Sequence, residues 1–190
     1  MILYLHGFRS SPKSFKARVV QKALEDAGRV HELICPQLPA SPKEAMALAL
    51  LLAERHAPDN LSIIGSSLGG FYASWVAQHA GCPSVMLNPA VDPARDLARY
   101  IGEQTSWHDP SERFYFLPEY IDELQALDMR GRSPAAPELA IVAKGDEVLD
   151  WREMVGRYPQ AKQVVLEGGD HALGNYGDYL PLVSQFLRLA

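Results

Sequence analysis

Short apolar runs alternate with longer amphipathic stretches along most of this chain, and this alternation restricts its possible folds more than any other feature. Six apolar runs bounded by turn residues are predicted strands: residues 2–5, 30–34, 61–64, 85–87, 139–143 and 163–166. Five stretches with helical periodicity are predicted helices: residues 14–27, 42–56, 69–79, 152–158 and 178–189. Nearly continuous apolar runs are typical of parallel strands that are buried on both faces. The order therefore predicts an α/β fold, with a parallel sheet covered by helices.

The length and composition of the chain fit a single domain. It has 190 residues, 47% of them hydrophobic, and roughly 100 to 200 residues per domain is usual. Residues 92–137 interrupt the alternation, because they carry no strand signal but several aromatic residues and an acidic helical stretch, PEYIDELQALDM. A bare loop of this length is unusual inside a compact domain. We therefore expect residues 92–137 to form a small helical cap on a single domain spanning 1–190.

Charge, hydropathy and cysteine content exclude several classes of protein. The net charge is −5 and the basic residues are scattered, which disfavours nucleic acid and anionic membrane surfaces as partners. No apolar segment approaches the ~18 residues of a membrane span. The opening MILYLHGF lacks the basic and apolar regions of a signal peptide, so we expect a cytoplasmic location. Cys35 and Cys82 are predicted to be small buried residues and not a redox or metal-binding pair.

The stretch LSIIGSSLGG predicts a strand, a sharp turn and the start of a helix. Gly65, Ser67 and Gly69 match the GxSxG pattern of a nucleophile elbow. In that turn the serine adopts a strained conformation, and the glycines two residues before and after it let strand and helix approach closely. Ser67 is therefore the candidate nucleophile, and Ser66 is a small spacer.

A serine hydroxyl needs a base to take its proton, and the base needs a carboxylate to orient it. In proteins with this elbow the order along the chain is serine, acid, histidine, each after a strand. Asp146 follows one predicted strand in LAIVAKGDEVLD, and His171 follows the next in QVVLEGGDHALG. Asp150 is the alternative acid, and we prefer Asp146 because it directly follows the glycine turn. Asp170 is expected to be a turn or capping residue.

The anionic intermediate of such chemistry needs two hydrogen-bond donors. One expected donor is the backbone N–H of Leu68, the residue after the nucleophile, at the positive end of a helix. The loop YLHGF after the first strand supplies the second, and we assign it to the Phe8 N–H, with Gly7 giving the backbone room and His6 bracing the loop. The other histidines and the cysteines lack metal-ligand spacing, so we expect no metal.

Six stretches of the chain resemble, in order and spacing, those of the small YqiA-like bacterial esterases of the α/β-hydrolase superfamily. They are YLHGFRSSPKSFKA, PQLPASP, IIGSSLGGFYASWVA, LNPAVDP, KGDEVLDWRE and EGGDHAL. The resemblance implies an α/β-hydrolase fold that begins at the strand before the oxyanion loop, with about six mostly parallel strands and strand 61–64 at the centre. The cap segment SWHDPSERFYFLPEY matches least well.

The resemblance also implies site residues and a function. It implies Ser67 as nucleophile, Asp146 as acid, His171 as base, and Phe8 and Leu68 as oxyanion donors. The expected function is a serine hydrolase that cleaves small to medium acyl esters or thioesters through an acyl-enzyme, with no cofactor. The alternative is an interaction protein that keeps the fold with little or no activity. The aromatic residues of the cap are expected either to form a small core or to line an acyl pocket.

Overall fold

A computed structural model describes residues 1–188 as a six-stranded parallel sheet with helices on both faces. The sheet strands are β1 (Ile2–Leu5), β2 (Leu33–Ile34), β3 (Ser62–Ser66), β4 (Ser84–Leu87), β7 (Glu138–Ala143) and β8 (Lys162–Leu166), and β5 (Gly102–Thr105) pairs with β6 (Arg113–Phe116) outside it. The strand order is β2-β1-β3-β4-β7-β8. The predicted parallel sheet, with strand 61–64 at its centre, is confirmed.

Alternating strand residues divide the core between the two faces of the sheet. The helices are α1 (Phe15–Asp26), α2 (Pro42–Ala53), α3 (Leu68–Ala80), α4 (Pro93–Leu97), α5 (Glu119–Ala126), α6 (Trp151–Arg157) and α7 (Leu180–Leu187). Leu3 and Leu5 of β1 pack with α2 and α3, whereas Ile2 and Tyr4 pack with α1 and α7. Through Met154, α6 covers β4 and β7 on the same face as α2 and α3. Both faces are therefore buried, as the apolar runs predict.

Serine side chains cap the helices that follow the first two strands. The Ser14 hydroxyl accepts a hydrogen bond from Ala17 N at 3.4 Å, and the Ser41 hydroxyl accepts one from Glu44 N at 3.1 Å. Such caps contribute about 1 kcal/mol each. The last predicted helix, 178–189, is a 3₁₀ turn over Tyr176–Tyr179 followed by α7, and its final residue lies outside the described residues. Among residues 1–188 we find no helix with the length and apolar character needed to cross a bilayer.

Two predicted features differ in the structure. Strand 30–34 is shorter, because Val30–Glu32 forms a 3₁₀ turn and only Leu33–Ile34 pairs with β1. The cap at 92–137 is not purely helical, because the antiparallel hairpin β5–β6 lies between α4 and α5. In β6, with sequence RFYF, Phe114 and Phe116 point inward while their neighbours are exposed. This two-residue alternation in β6 is typical of a strand, and the sequence prediction missed it. The partner strand β5, GEQT, has no such apolar pattern.

Candidate active site

Ser67 lies between the end of β3 and the start of α3, with φ 57° and ψ −122°. Such positive φ is unfavourable for residues other than glycine and persists only where the surroundings enforce it. A Cβ added to Gly65 would lie 1.9 Å from the Gly69 carbonyl oxygen, and one added to Gly69 would lie 2.0 Å from the Leu5 carbonyl oxygen. Both positions therefore require glycine, and the close approach of strand, helix and β1 leaves Ser67 at the carboxyl edge of the sheet.

Three side chains predicted from separate segments meet at this edge. The Ser67 hydroxyl oxygen is 3.0 Å from His171 Nε2, and His171 Nδ1 is 2.7 Å from Asp146 Oδ2. The Asp146 side chain is fully buried, and its other oxygen accepts hydrogen bonds from the backbone N–H groups of Val148 and Leu149, both at 2.8 Å. When Nδ1 donates its proton to this carboxylate, Nε2 is left free to accept the serine proton.

Asp150, the alternative acid, is placed elsewhere by the structure. It is the N-cap of α6, where its carboxylate accepts a hydrogen bond from Arg152 N at 2.8 Å. Asp170, beside the histidine, accepts a hydrogen bond from Gly174 N at 3.3 Å and so stabilises a turn, as expected. Of the two candidate carboxylates, the structure brings Asp146 to His171.

Asn88 is a buried polar residue at this edge that the sequence analysis missed as a functional residue. It directly follows β4, is fully buried and has φ 41°. Its Nδ2 donates to the carbonyl oxygens of Asp170 at 3.0 Å and His171 at 3.3 Å, and its Oδ1 accepts from Ala143 N at 2.8 Å. The stretch LNPAV contained a signal for this role. Its asparagine directly follows a predicted strand, and asparagine is one of the few residues that tolerate positive φ.

Two further side chains hold the backbone of His171. Glu147 accepts a hydrogen bond from His171 N at 3.0 Å. Lys16 donates to the carbonyl oxygens of Ala172 at 2.7 Å and His171 at 3.4 Å, and burial lowers the pKa of its ammonium to about 8. These contacts come from α1 and from the loop after β7, which sequence patterns alone do not bring together. The His171 loop is thus anchored from three sides.

The loop after β1 passes directly over the elbow. A Cβ added to Gly7 would lie 3.2 Å from Ser67 Cβ and 3.7 Å from its hydroxyl oxygen. Buried His6 donates from Nδ1 to the Gly7 carbonyl oxygen at 3.0 Å, while its Nε2 accepts from Leu38 N at 3.0 Å. Burial lowers the His6 pKa, so the ring is neutral and joins two loops. The N–H of Leu68, in the first turn of α3, has no intrahelical acceptor.

A pocket of about 380 Å³ adjoins the elbow. Its lining combines apolar residues, Phe8, Leu38, Leu68, Tyr72 and Phe114, with polar residues that include Arg9, Ser106, Glu112 and Arg113. A larger pocket of about 550 Å³ lies further along α3 and is lined by residues remote from His171. Of these two pockets, the smaller one is next to the elbow, because Leu68, the residue after Ser67, lines it.

Four aromatic residues of the cap pack against Phe8 or against one another, and one of them also lines the pocket beside the elbow. The Phe8 ring lies 5.6 Å from the Tyr100 ring and 5.2 Å from the Phe116 ring, which in turn lies 5.4 Å from Tyr120. These residues form a packed cluster. Phe114, 5.9 Å from Phe8, belongs to the same cluster and also lines the pocket.

The remaining histidines and the cysteines lie apart from one another. His79 Nδ1 donates to the Trp75 carbonyl oxygen at 2.7 Å. Both cysteines are free thiols whose pKa values burial raises; Cys82 is buried as predicted, whereas Cys35 is only half-buried. Within residues 1–188, no three histidine, cysteine or acidic side chains come together in an arrangement that could hold a metal ion.

Comparison with known proteins places the chain in a family. The profile of the Uncharacterised protein family (UPF0227) matches residues 1–188. The chain belongs to the UPF0227 family. This match confirms the family resemblance found in the sequence. The solved structures that share the fold confirm the predicted α/β-hydrolase fold.

Several solved structures share the fold of this UPF0227 chain at low sequence identity. A putative hydrolase from Agrobacterium vitis matches with TM-score 0.74 and 16% identity over 98% of this chain and 87% of that one. Mouse alpha/beta hydrolase domain-containing protein 10 matches with TM-score 0.73 and 16% identity over 100% and 90%. Est1E from Butyrivibrio proteoclasticus with bound ferulic acid matches with TM-score 0.70 and 16% identity over 99% and 87%.

Proposed function

We propose that this protein is a serine hydrolase that cleaves carboxylic esters or thioesters through an acyl-enzyme on Ser67. The observation that carries the proposal is the continuous hydrogen-bonded chain from Ser67 Oγ through His171 to the buried Asp146, with distances of 3.0 and 2.7 Å. A serine, a base and an orienting carboxylate in this geometry are the components of nucleophilic acyl transfer. The esterases and hydrolases with the same fold support this class of reaction.

In the proposed mechanism His171 Nε2 takes the hydroxyl proton as Ser67 Oγ attacks the acyl carbon. The buried Asp146 stabilises the imidazolium that forms. When the tetrahedral intermediate collapses, the bond to the alcohol or thiol breaks and His171 returns the proton to the leaving group. Water then repeats the sequence on the acyl-enzyme, releasing the acid and restoring the serine.

The negative oxygen of the intermediate is held, in this proposal, by the backbone N–H groups of Phe8 and Leu68. Leu68 follows the nucleophile at the N-terminus of a helix, where the dipole favours negative charge. The loop carrying Phe8 approaches the elbow closely at Gly7. Removing one such donor typically costs about 10²–10³-fold in turnover.

The pocket beside the elbow supports small to medium acyl groups as substrates. Its volume of about 380 Å³ is near the lower end of the ~300–1,000 Å³ common for small-molecule pockets. Phe8, Leu38, Leu68 and Phe114 give it an apolar lining suited to a hydrocarbon chain. We expect activity to rise with acyl length until the pocket is filled and then to fall.

The test is a hydrolysis screen with p-nitrophenyl esters of increasing chain length and with acyl-CoA thioesters. The wild type should turn over at least one series, Ser67→Ala should abolish turnover, and a fluorophosphonate probe should label Ser67 of the wild type. Asp146→Asn should lower kcat by about 10⁴-fold, as in comparable triads.

The matched control is Asp150→Asn, which changes the nearby carboxylate at the N-cap of α6. Asparagine is also a good N-cap, so this variant should keep both fold and activity. Wild-type turnover by Ser67→Ala would contradict the proposal, and a folded wild type that neither labels nor hydrolyses would favour an interaction protein.

A further inference from the structure

The segment that carries the Phe8 N–H is a four-residue turn with an unusual residue at its third position. Ser10 N donates to the Gly7 carbonyl oxygen at 3.2 Å, closing the turn around Phe8 and Arg9. Arg9 has φ 59°. A turn with positive φ at this position normally has glycine there, because other side chains disfavour the left-handed region. Arginine at this point therefore needs contacts that hold it in place.

The contacts that hold Arg9 all come from the β5–β6 hairpin. Its Nε donates to the Thr105 carbonyl oxygen at 2.7 Å, and its Nη2 donates to the Thr105 hydroxyl at 3.0 Å. Its guanidinium carbon lies 4.1 Å from the centre of the Trp107 ring, and its carbonyl oxygen accepts a hydrogen bond from Trp107 N at 2.8 Å. Both the side chain and the backbone of Arg9 are thus attached to the end of β5 and the residues after it.

The residue before Arg9 is attached to the same hairpin by packing. The Phe8 ring contacts Phe114 and Phe116, both on β6, at centroid distances of 5.9 and 5.2 Å in edge-to-face geometry. The hairpin therefore holds both central residues of the turn. Because the peptide N–H of Phe8 belongs to this turn, its direction depends on how the hairpin holds Arg9.

We propose that Arg9 is a positioning residue that, clamped by Thr105 and Trp107, aims the Phe8 N–H at the oxyanion. The inference rests on the function proposed above and assigns a role to the hairpin of the cap. We assign Arg9 to the donor and not to the substrate because Nε and Nη2 are both directed at Thr105; since Arg9 also lines the pocket, kcat and KM are measured separately below. A displacement of about 1 Å in a catalytic group can cost on the order of 10²-fold in rate.

The decisive variant is Arg9→Gly, because glycine accepts φ 59° without strain but removes every side-chain contact to the hairpin. The matched control is Arg188→Gly, which also replaces an arginine at positive φ, 55°, at the C-terminal end of α7. Thr105→Val removes only the hydroxyl acceptor of the clamp and keeps the shape of the side chain. Each variant is assayed for kcat, KM, thermal unfolding temperature and inhibition by a boronic acid that forms a tetrahedral adduct on serine.

We expect Arg9→Gly to lower kcat by about 10–100-fold with KM within about twofold, because the donor acts in the transition state. Affinity for the boronic acid should fall by a similar factor, while the unfolding temperature stays close to that of the wild type. Thr105→Val should lower kcat by a smaller factor with the same KM, and Arg188→Gly should match the wild type.

An unchanged kcat in Arg9→Gly would overturn the inference while leaving the proposed function intact. A raised KM with unchanged kcat would also overturn it, because Arg9 would then bind the substrate directly. Should Arg9→Gly fail to fold, the kcat of Thr105→Val decides between a positioning role and none. A wild type without activity on any ester would overturn the proposed function, and the inference with it.

Discussion

Replacing Asn88 by aspartate tests how strongly buried hydrogen bonds hold the edge of the sheet that carries the candidate active site. The two side chains have nearly the same shape, so the change alters hydrogen bonding and little else. Oδ1 can still accept from Ala143 N, but an oxygen replaces the Nδ2 group that donates to the carbonyl oxygens of Asp170 and His171. Two donated hydrogen bonds are lost, and oxygens face each other at a fully buried position.

The magnitude follows from these contacts. Each lost hydrogen bond costs about 1 kcal/mol, and an unsatisfied buried polar group costs a further ~1–3 kcal/mol. We therefore expect Asn88→Asp to lower the free energy of unfolding by about 3 kcal/mol, a large share of the ~5–15 kcal/mol typical of folded proteins. At roughly 2–4 °C per kcal/mol for a protein of this size, the unfolding temperature should fall by about 6–12 °C. The kcat should fall as well, because the carbonyl oxygen of His171 loses one of the two side-chain donors that hold it.

The assay is urea unfolding of the wild type and Asn88→Asp, with ester hydrolysis measured in the absence of urea. The urea concentration at the midpoint of unfolding should fall, while the slope of the unfolding free energy against urea concentration should stay the same. That result would show that the stability has changed and not the compactness of either state. Asn60→Asp, an exposed asparagine before β3 at the opposite edge of the sheet, is the matched control. A loss below about 0.5 kcal/mol, the usual range for surface substitutions, would refute the argument that Asn88 anchors this edge.

Three further predictions test other parts of the structure. Gly65→Ala would put a Cβ 1.9 Å from the Gly69 carbonyl oxygen and should cost about 3 kcal/mol in urea unfolding, whereas Gly156→Ala in α6 meets nothing within 4 Å and should be neutral or stabilising. Burial lowers the pKa of His6, so the folded state binds fewer protons than the unfolded state. The free energy of unfolding of the wild type should therefore fall as the pH drops through about 6.5, and His6→Asn should weaken that pH dependence. Burial raises the pKa of Glu138, so its charge destabilises the folded state at pH 7, and Glu138→Gln should raise stability there with a gain that vanishes below about pH 4.5.

The sheet, its helices and their order were predictable because burial on both faces leaves a local pattern in the sequence. The apolar runs that predict β1, β3, β4 and β7 are the strands whose side chains are almost all buried. The hairpin was missed because β5, GEQT, has no apolar pattern and contains no fully buried residue, so the alternation in β6 has no matching strand in the sequence.

The candidate site was predictable where a backbone conformation demands particular residues. The glycines around Ser67 are required by contacts of 1.9 and 2.0 Å, and so they appear as a motif. The choice between Asp146 and Asp150 depended on which carboxylate reaches His171, and both follow the same strand. Lys16, in α1, contacts the loop after β8, about 155 positions away, and no local pattern marks such a contact.

The amino-acid sequence was enough to predict the alternation of strands and helices, the elbow at Ser67 and the order of the candidate nucleophile, acid and base. These depend on local requirements: buried strands need apolar runs, and a tight turn needs glycine. The folded chain was needed to show that Asp146 is the carboxylate beside His171, that Asn88 and Lys16 contact the histidine loop, and that the hairpin contacts Arg9. Those are contacts between residues distant along the chain, and they exist only once the sheet has brought the carboxyl ends of its strands together.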